Sequence, residues 1–221
     1  MSQQFTEQER VRRESLTRLR ELNIEPYPQE EFPVTTTSSK ILSEFEADES
    51  AFGEVSIAGR LMSRRIMGKA SFAELQDSQG RIQIYITRDE ICPGEDKSLY
   101  NEVFKRLLDI GDFIGITGKV FKTQVCEITF HVTSLKVLSK ALRPLPIVKT
   151  DSEGKTHDAF TDPELRYRRR YVDLAVNKQV KETFEKRTKT FNAMREFFNK
   201  RGYLEVETPI LQPIPGGAAA K

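Results

Sequence analysis

Residues 54–138 alternate between apolar and polar side chains for most of their length, and this period of two residues restricts the region to a β-rich fold. The alternation is clearest at Ile82, Ile84 and Ile86, which are separated by Gln83 and Tyr85. Successive side chains of a strand point to opposite faces, so the three isoleucines share one face and leave Gln83 and Tyr85 on the other. The pattern predicts a sheet with one buried side.

One stretch inside this region has helical spacing instead. Leu99, Val103, Leu107 and Ile110 recur at intervals of three or four residues, which predicts a helix. The order of three strands, one helix and two strands is typical of a five-stranded OB barrel with the helix at its end. An immunoglobulin-like sandwich would need about seven strands and no central helix, so it is less favoured. The predicted strands lie near residues 55–62, 72–75, 82–86, 112–120 and 125–138.

The segment before the barrel is predicted to begin with a helix. Thr6 and Glu9 have the spacing of a capping box, which satisfies the free amides of a first turn. Leu16 and Leu19 belong to an apolar stripe too narrow to bury much surface alone, so we expect the helix to dock on another element. Its arginines either form a solvated face or face phosphates. Proline and hydroxyl residues at 26–39 predict an irregular connection.

The chain after the barrel is interpreted as a linker followed by helical structure. Residues 143–160 are rich in proline and polar side chains, as is usual for a linker. Phe184, Phe191 and Phe198 repeat every seven residues and therefore predict one apolar face of a helix. Gly202 is placed to end that helix, and residues 203–206 are predicted to form a short strand.

Composition excludes several classes of protein. The net charge is only +2, from 35 basic and 33 acidic residues, so any surface for nucleic acid has to be local. No apolar run approaches the about 18–20 residues of a membrane-spanning helix. Cys92 and Cys126 are far apart, and the chain has two histidines. We therefore expect no disulfide scaffold, no metal site, and a reduced, cytoplasmic protein.

The residues around the second and third predicted strands suit nucleic-acid binding. OB barrels often bind oligonucleotides on this face, where Phe72 could stack on a base and Arg64 and Arg65 could hold phosphates. Gln83 offers both a donor and an acceptor to a base edge. Core packing of Phe72, and plain surface charge for the arginines, are equally compatible with the pattern.

A second basic segment with interleaved aromatic residues lies at 162–171. It predicts either a surface facing RNA or arginines that pair with acidic residues across a domain or subunit boundary. The chain has no P-loop, no nucleophile elbow and no zinc-protease motif. From the residues alone, the sequence predicts a nucleic-acid-binding OB domain joined to an incomplete second domain.

Five strings in this sequence carry a resemblance to a known family, the class II lysyl-tRNA synthetases. They are GRLMSRRIMGKASF (59–72), LSKALRPLP (138–146), RYRRRYVDL (166–174), RGYLEVETPIL (201–211) and PGGAAA (215–220). The fourth is similar to motif 1 of class II synthetases. The resemblance extends over nearly the whole chain, and the strings occur in the order that the family shows.

This resemblance implies a mainly β fold with helices: a five-stranded OB-fold anticodon-binding barrel after an N-terminal helix, followed by the truncated start of a class II α+β catalytic domain. The implied divisions are a helical arm over 1–50, the barrel over 51–146, a linker and interface segment over 147–178, and the start of the catalytic domain over 179–221.

The same resemblance implies roles for individual residues. Phe72 would stack on the central uracil of the lysine anticodon. Bases or backbone of the anticodon would be contacted by Arg64, Arg65 and Gln83, and a base edge would donate to Glu127. The sequence departs from the family at Cys126, where glycine is usual, and this departure puts the shape of the hairpin before Glu127 in question.

Motif 1 implies a dimer interface that includes Phe191, Phe198 and Pro209, and the loop with Gly216 and Gly217 would lead into the lysine pocket. Motifs 2 and 3, with their ATP-facing arginines, do not occur in this sequence. We therefore expect an N-terminal portion of a homodimeric lysine–tRNA ligase that reads tRNA-Lys but has no catalytic residues of its own. The complete enzyme would use ATP and Mg²⁺ through a lysyl-adenylate. The alternatives are a stand-alone OB-fold RNA-binding module and an aspartyl- or asparaginyl-type synthetase of the same subclass.

Overall fold

A computed structural model of the chain describes residues 5–146, 149–150, 156–157 and 160–210. The chain forms two compact units, residues 1–145 and residues 146–221.

The first unit contains a closed barrel of five strands in the order β1-β2-β3-β5-β4. β3 and β5 are parallel, whereas all other neighbouring pairs are antiparallel. This topology confirms the predicted OB fold. The strands are β1 (Val55–Met67), β2 (Ala70–Gln76), β3 (Arg81–Thr87), β4 (Phe113–Lys122) and β5 (Ile128–Ser139).

The predicted alternation is confirmed inside the barrel. Ile82, Ile84 and Ile86 are buried in the core, while Gln83 and Tyr85 lie half-buried on the outer face. Between β3 and β4, a short helix α3 (Arg88–Ile91) leads to a wider, π-type helix over Leu99–Leu107, which we call the barrel-end helix. It closes one end of the barrel and ends three residues before Ile110, which was expected to belong to it.

Helix α1 (Glu7–Glu21) docks on the barrel, as its narrow stripe predicted. The capping box is present, since Glu9 N–H donates to Thr6 Oγ1 at 3.3 Å and Thr6 N–H donates to the Glu9 carboxylate at 2.9 Å. Arg12 is buried and donates to the carbonyls of Ile110 and Ala141 at 3.0 and 2.9 Å. Arg12, which lies beside the apolar stripe, therefore holds the helix in place together with the buried Leu19.

A buried ion pair closes the same end of the barrel. The ammonium of Lys140 lies 2.8 Å from Asp112 and 2.5 Å from Asp109, and both Lys140 and Asp112 have fully buried side chains. Burial raises the pKa of Asp112, although Lys140 and two backbone amides act in the opposite direction.

The prediction of an irregular connection over 26–39 is wrong at its end, because helix α2 (Ser38–Glu44) begins there. Thr37 caps the helix, and its Oγ1 accepts from Lys40 N–H. Ile41 is completely buried in the core. Ser38 donates to Asp77 in the β2–β3 turn through its amide at 2.6 Å and its hydroxyl at 2.7 Å. The helix is therefore attached to the barrel at both its polar start and its apolar face.

The second unit is mainly helical in its described part. A two-stranded pairing joins β6 (Lys149–Thr150) to β7 (Thr156–His157), and three helices follow: α4 (Pro163–Arg168), α5 (Arg170–Val176) and α6 (Lys178–Asn199). Asp173 has a fully buried side chain that accepts from Arg166 at 3.0 Å, from Arg170, and from Asn177 at 2.6 Å. These contacts explain two of the arginines in the basic segment 162–171: they pair with an acidic residue of their own unit.

The end of α6 confirms the prediction for Gly202. This glycine has φ +81°, its amide donates to Asn199, and the amide of Tyr203 donates to Phe198, as in a Schellman motif. The rings of Phe198 and Tyr203 also meet, with centroids 5.5 Å apart. The strand predicted over 203–206 is wrong: the segment finds no strand partner in the described part of the chain, and a strand needs a partner for its ladder hydrogen bonds.

Candidate nucleic-acid interface

A groove of about 890 Å³ runs over the outer face of the barrel. Its floor is formed by the outward side chains of β2 and β3 and the end of β1, and one wall is formed by the hairpin between β4 and β5. All five residues predicted to contact an anticodon line it: Arg64, Arg65, Phe72, Gln83 and Glu127. The fold thus gathers residues that are up to 63 positions apart in the sequence, from Arg64 to Glu127.

Phe72 lies on the outer face of β2 rather than in the core. In the strand register it is opposite Arg65 on β1 and Tyr85 on β3. Its ring centroid is 4.9 Å from that of Tyr85, and the side chain is half-buried. The neighbouring ring therefore supports Phe72 from one side while the side chain remains available to the groove, which suits a stacking platform.

Gln83 and Glu127 form a polar pair across the parallel seam between β3 and β5. Gln83 Nε2 donates to Glu127 Oε2 at 2.9 Å, and Gln83 Oε1 accepts from the hydroxyl of Thr129 at 2.9 Å. Thr129 is completely buried and is the register partner of Gln83 on the neighbouring strand, so it fixes the orientation of the amide. The pair still has a second amide hydrogen on Gln83 and a second carboxylate oxygen on Glu127, and no hydrogen bond to another described residue is found for either.

The hairpin before Glu127 has the shape that the family's glycine would favour. Cys126 has φ +62°, in the left-handed region, and its amide donates to the carbonyl of Thr123 at 2.9 Å. The amide of Glu127 donates to the hydroxyl of Thr123 at 3.0 Å. Cysteine in this region carries a strain of about 1–2 kcal/mol that glycine would not. Cys126 therefore occupies a position at which glycine would be less strained.

Arg64 is placed differently from Arg65, although the sequence put both in one basic pair. On β1 it is opposite the buried Ala73, and its guanidinium donates to the backbone carbonyls of Phe104 and Leu108 in and after the barrel-end helix. Burial lowers the pKa of this guanidinium. Arg64 therefore attaches the barrel-end helix to β1, and the opposite faces of adjacent strand residues explain the difference.

The basic side chains around the groove differ in how they are paired. Arg81 donates to Glu74 at 3.2 Å and to Gln76 at 2.7 Å. Arg65 and Lys69 are exposed, and neither forms an ion pair with any residue that the structure describes. These two cations are therefore free to meet phosphates, whereas Arg81 is partly neutralised.

Sequence reasoning missed two contributors to the groove. Leu42, on α2, lines it although it precedes the barrel in the chain, and Thr129 orients Gln83 from the neighbouring strand. The alternation in β5 places Thr129 on the outer face, opposite to the inward Phe130, but it does not indicate which strand lies beside it. No signal in the sequence indicated Leu42, because its helix was not predicted.

The residues predicted for a dimer interface are exposed in the second unit. Phe191 and Phe198 lie on α6 with exposed fractions of 46% and 47%, and Pro209 is exposed outside any helix or strand. Gly216 and Gly217 lie outside the described residues. A cavity of about 340 Å³ lies between the end of α6 and the segment after it.

In the described part of the chain, no group of three or more histidine, cysteine or acidic side chains is arranged to hold a metal ion. None of the described helices has the length and apolar character needed to cross a bilayer.

Two family models match this chain. Residues 55–138 match an OB-fold nucleic acid binding domain, and residues 162–221 match the tRNA synthetases of class II that include the D, K and N types. The chain is therefore similar to OB-fold nucleic acid binding domains in its barrel and to class II tRNA synthetases in residues 162–221.

Three similar proteins are lysine–tRNA ligases. A lysine–tRNA ligase of Christiangramia forsetii is 66% identical over 219 residues, which are 99% of this chain and 38% of that protein. A lysine–tRNA ligase of Porphyromonas gingivalis is 62% identical with the same coverage, and one of Azobacteroides pseudotrichonymphae is 61% identical over 98% of this chain and 43% of its own length. The chain thus spans about two fifths of the length of these relatives.

Proposed function

We propose that this chain is the anticodon-reading portion of a lysine–tRNA ligase, an enzyme that attaches lysine to tRNA-Lys. The observation that carries the proposal is the groove, in which a closed OB barrel brings together Arg65, Phe72, Gln83 and Glu127. The identity to lysine–tRNA ligases over 99% of the chain supports lysine over the aspartate and asparagine types. The stand-alone RNA-binding module is less favoured, because residues 162–221 match the synthetase domain.

The proposed reading of the anticodon follows from the groove. Its central base stacks on Phe72, and Arg65 holds a neighbouring phosphate. The free amide hydrogen of Gln83 donates to a carbonyl of a uracil while the free oxygen of Glu127 accepts from its N3–H. In this position Gln83 faces O4 of the uracil, so a cytosine would set its N4 amino group against the Gln83 amide hydrogen and its unprotonated N3 against the Glu127 carboxylate. Arg64 has no direct part in this reading, because its guanidinium is held by backbone carbonyls.

The remaining features of the proposal belong to the whole enzyme. We place a homodimer contact on the face of α6 that carries Phe191 and Phe198, with Pro209 beyond it, and the substrate loop at Gly216 and Gly217. The divisions of the chain at residues 50, 146 and 178 belong to the same proposal. Use of ATP and Mg²⁺ to form a lysyl-adenylate, and a cytoplasmic location, are expected of a lysine–tRNA ligase, and we assign no step through ATP or Mg²⁺ to the described residues.

A binding experiment tests the proposal. The 221-residue chain should bind an RNA stem-loop with the lysine anticodon more tightly than one with an unrelated anticodon, and the affinity should fall steeply with salt. Phe72→Ala should weaken binding of the lysine stem-loop by about 1–3 kcal/mol. Phe5→Ala, which removes a partly exposed ring outside the groove, is the matched control and should bind like the parent chain. Equal affinity for both anticodons would overturn the proposal.

A further inference from the structure

The chain leaves the barrel through a short segment that belongs to no helix or strand. β5 ends at Ser139, and residues 140–145, which we call the exit segment, are the last residues of the first unit. Irregular segments at the end of a domain are usually held by few contacts. The apolar core that the structure describes includes none of these six residues, so other interactions have to hold them.

Polar groups of the first two residues of the exit segment are bound by residues that are distant in the sequence. The ammonium of Lys140 lies 2.8 Å from the carboxylate of Asp112, and the carbonyl of Lys140 accepts from the hydroxyl of Tyr27 at 2.8 Å. The amide of Ala141 donates to Asp112 at 2.7 Å, and its carbonyl accepts from the guanidinium of Arg12 at 2.9 Å. The path of the segment is therefore set by α1, by Tyr27 and by the residue that precedes β4.

The backbone of the barrel end leaves room for the rest of the exit segment. Gly111 has φ +104°, and a Cβ built on it would lie 3.3 Å from a methyl group of Leu145 and 3.4 Å from the Cβ of Ala141. Glycine therefore meets two needs here, a backbone conformation that other residues avoid and a close approach of the exit segment. Arg143 also lies 3.4 Å from Glu9 of α1, but this pair is partly exposed and contributes little.

One side chain of α1 joins three parts of the first unit. Arg12 is 8% exposed, and its guanidinium donates both to the carbonyl of Ala141 and, at 3.0 Å, to the carbonyl of Ile110 just before β4. A planar guanidinium presents its N–H groups in a fixed fork, so it binds two carbonyls at once better than the ammonium of a lysine does. Arg12 therefore connects α1, the barrel end and the exit segment.

Neighbouring arginines of α1 are engaged with acidic side chains. Arg18 lies 2.9 Å from Glu21 and 2.6 Å from Glu102 in the barrel-end helix. Arg20 lies 4.0 Å from Glu25. The sequence left open whether the arginines of this helix face phosphates, and these pairs reduce the positive charge that α1 offers to RNA. The contacts of Arg12 instead favour a role within the fold.

The buried charges of this region have no part in the proposed reading of an anticodon. Removing Lys140 and Asp112 from water carries a desolvation cost that their attraction need not repay, so a buried ion pair is weak evidence for stability. Such a pair can instead select one arrangement of the chain over others. We infer that the exit segment is held in one conformation by a latch, which opens without unfolding the barrel. The latch consists of Arg12, Tyr27, Asp112 and Lys140.

The latch determines where the connection between the two units begins. With the latch closed, the connection starts after residue 145, and with the latch open, it starts after residue 139. These six residues correspond to about 20 Å of extended chain. A closed latch therefore shortens the connection, whatever the RNA that the barrel binds.

Trypsin tests the latch at Lys140 itself. In the 221-residue chain the Lys140–Ala141 bond should be cleaved slowly, because the lysine side chain is fully buried and a protease needs an opened segment. Arg12→Met keeps an apolar stem but loses both hydrogen bonds, so cleavage of this bond should accelerate about tenfold to a hundredfold. Arg12→Lys should have an intermediate rate. Mass spectrometry of the early fragment that begins at Ala141 gives the rates.

Two further variants separate the latch from general folding. Tyr27→Phe removes only the hydroxyl that donates to Lys140 and should accelerate the same cleavage about twofold to tenfold. Arg10→Met changes an exposed residue of the same helix, so it is the matched control and should be cleaved like the parent chain. In Arg12→Met and Tyr27→Phe, the amide of Ala141 should exchange its hydrogen faster, while the amides of β3 and β5 exchange as in the parent.

Three results would overturn the latch. The first is unchanged cleavage at Lys140 in both Arg12→Met and Tyr27→Phe. The second is faster exchange in β3 and β5 by the same factor as at Ala141, because the opening would then be unfolding of the barrel. The third concerns RNA: Arg12→Met should bind the lysine stem-loop like the parent chain, and weaker binding without faster cleavage would assign Arg12 to the RNA instead of the exit segment.

Discussion

Among the residues that the structure describes, each of the two units contains one carboxylate that is completely buried, Asp112 in the barrel unit and Asp173 in the helical unit, and their surroundings differ. Asp112 lies beside the buried Lys140 at the edge of a large apolar core that fills the barrel. Asp173 is held by Arg166, Arg170 and Asn177, all only partly buried, and its one buried apolar neighbour in sequence is Val172.

The difference shows that the two units owe their stability to different interactions. The barrel buries a continuous set of aliphatic and aromatic side chains, so its polar contacts mainly fix how the ends are closed. In the helical unit, no residue of α6 is buried, and the hydrogen-bonded carboxylate is the main link between α4 and α5. Changes of core volume should therefore affect the first unit most, and changes of charge should affect the second.

The largest effect is expected from a cavity in the barrel. Ile84 is completely buried, so Ile84→Ala should lower the free energy of unfolding by about 3–4 kcal/mol. The matched change in the helical unit, Phe191→Ala, removes a larger side chain that is 46% exposed and should cost less than about 0.5 kcal/mol. Urea denaturation followed by tyrosine fluorescence, which suits a chain without tryptophan, measures both. Comparable losses in the two variants would contradict the comparison.

A change of charge should instead destabilise the helical unit more than the barrel. Asp173→Asn removes the carboxylate that Arg166 and Arg170 share, and it should destabilise the helical unit by about 2 kcal/mol. Amide hydrogen exchange should therefore accelerate over residues 163–177 while the barrel strands stay protected. Glu164→Gln, which removes the exposed partner of Arg168, is the control and should leave exchange unchanged. Faster exchange in the barrel strands would show that the loss of this carboxylate also destabilises the barrel, which would contradict the comparison.

A polar contact in the barrel unit should have a smaller and pH-dependent effect. Burial alone would raise the pKa of Asp77, but hydrogen bonds from Ser38, Gln79 and Gly80 outweigh it and lower the pKa. A lowered pKa means that the carboxylate stabilises the fold above the ordinary aspartate value and that this stabilisation is lost as the pH falls through the folded-state pKa.

Asp77→Asn should therefore cost about 1–2 kcal/mol at neutral pH. The cost should begin to shrink as the pH drops below about 4, where the aspartate of the unfolded chain becomes protonated, and it should vanish only below the lowered pKa of the folded carboxyl. Denaturant titrations of both proteins between pH 3 and 7 give this difference. A cost that is constant over that range would mean that the carboxylate's charge is not what stabilises the start of α2.

The smallest effect concerns the hairpin beside the groove. Cys126→Gly relieves a left-handed residue but also gives the unfolded chain more freedom, so a net gain of about 0.5 kcal/mol is expected. Cys126→Val introduces a β-branched side chain at the same φ and should destabilise the chain by about 1 kcal/mol. Thermal denaturation resolves the order of the three proteins. If the valine variant were as stable as the glycine variant, the left-handed conformation would not be a source of strain.

The parts of the fold that local patterns determine were predictable. Alternation at Ile82, Ile84 and Ile86 identified the inner face of β3, and the spacing of Thr6 and Glu9 identified the start of α1. The strand predicted over 203–206 failed because β-propensity does not reveal whether a partner strand is present. Helix α2 was missed because residues that favour turns also favour N-caps, and only the contact with Asp77, 39 residues away, shows which applies.

The candidate site was predictable where one strand decides the direction of a side chain. Gln83 faces outward as its strand pattern indicated, and Phe72 proved to be on the outer face although core packing was equally compatible with its sequence. Arg64 and Arg65 were grouped because they are adjacent, whereas neighbours on a strand point apart. Leu42 and the link from Gln83 to Glu127 depend on tertiary contacts, which a single sequence does not specify.

The parallel seam between β3 and β5 has a consequence for how the groove comes into existence. Gln83 and Thr129 are 46 residues apart and meet only when β5 takes its place beside β3. The β1–β2–β3 meander can form early from local contacts, but the pairing that closes the barrel has to wait for the more distant strand. A chain emerging from the ribosome therefore has no oriented Gln83–Glu127 pair until synthesis has passed β5. RNA that binds this pair selects the closed barrel over every partly opened form, and it should slow the separation of β3 from β5.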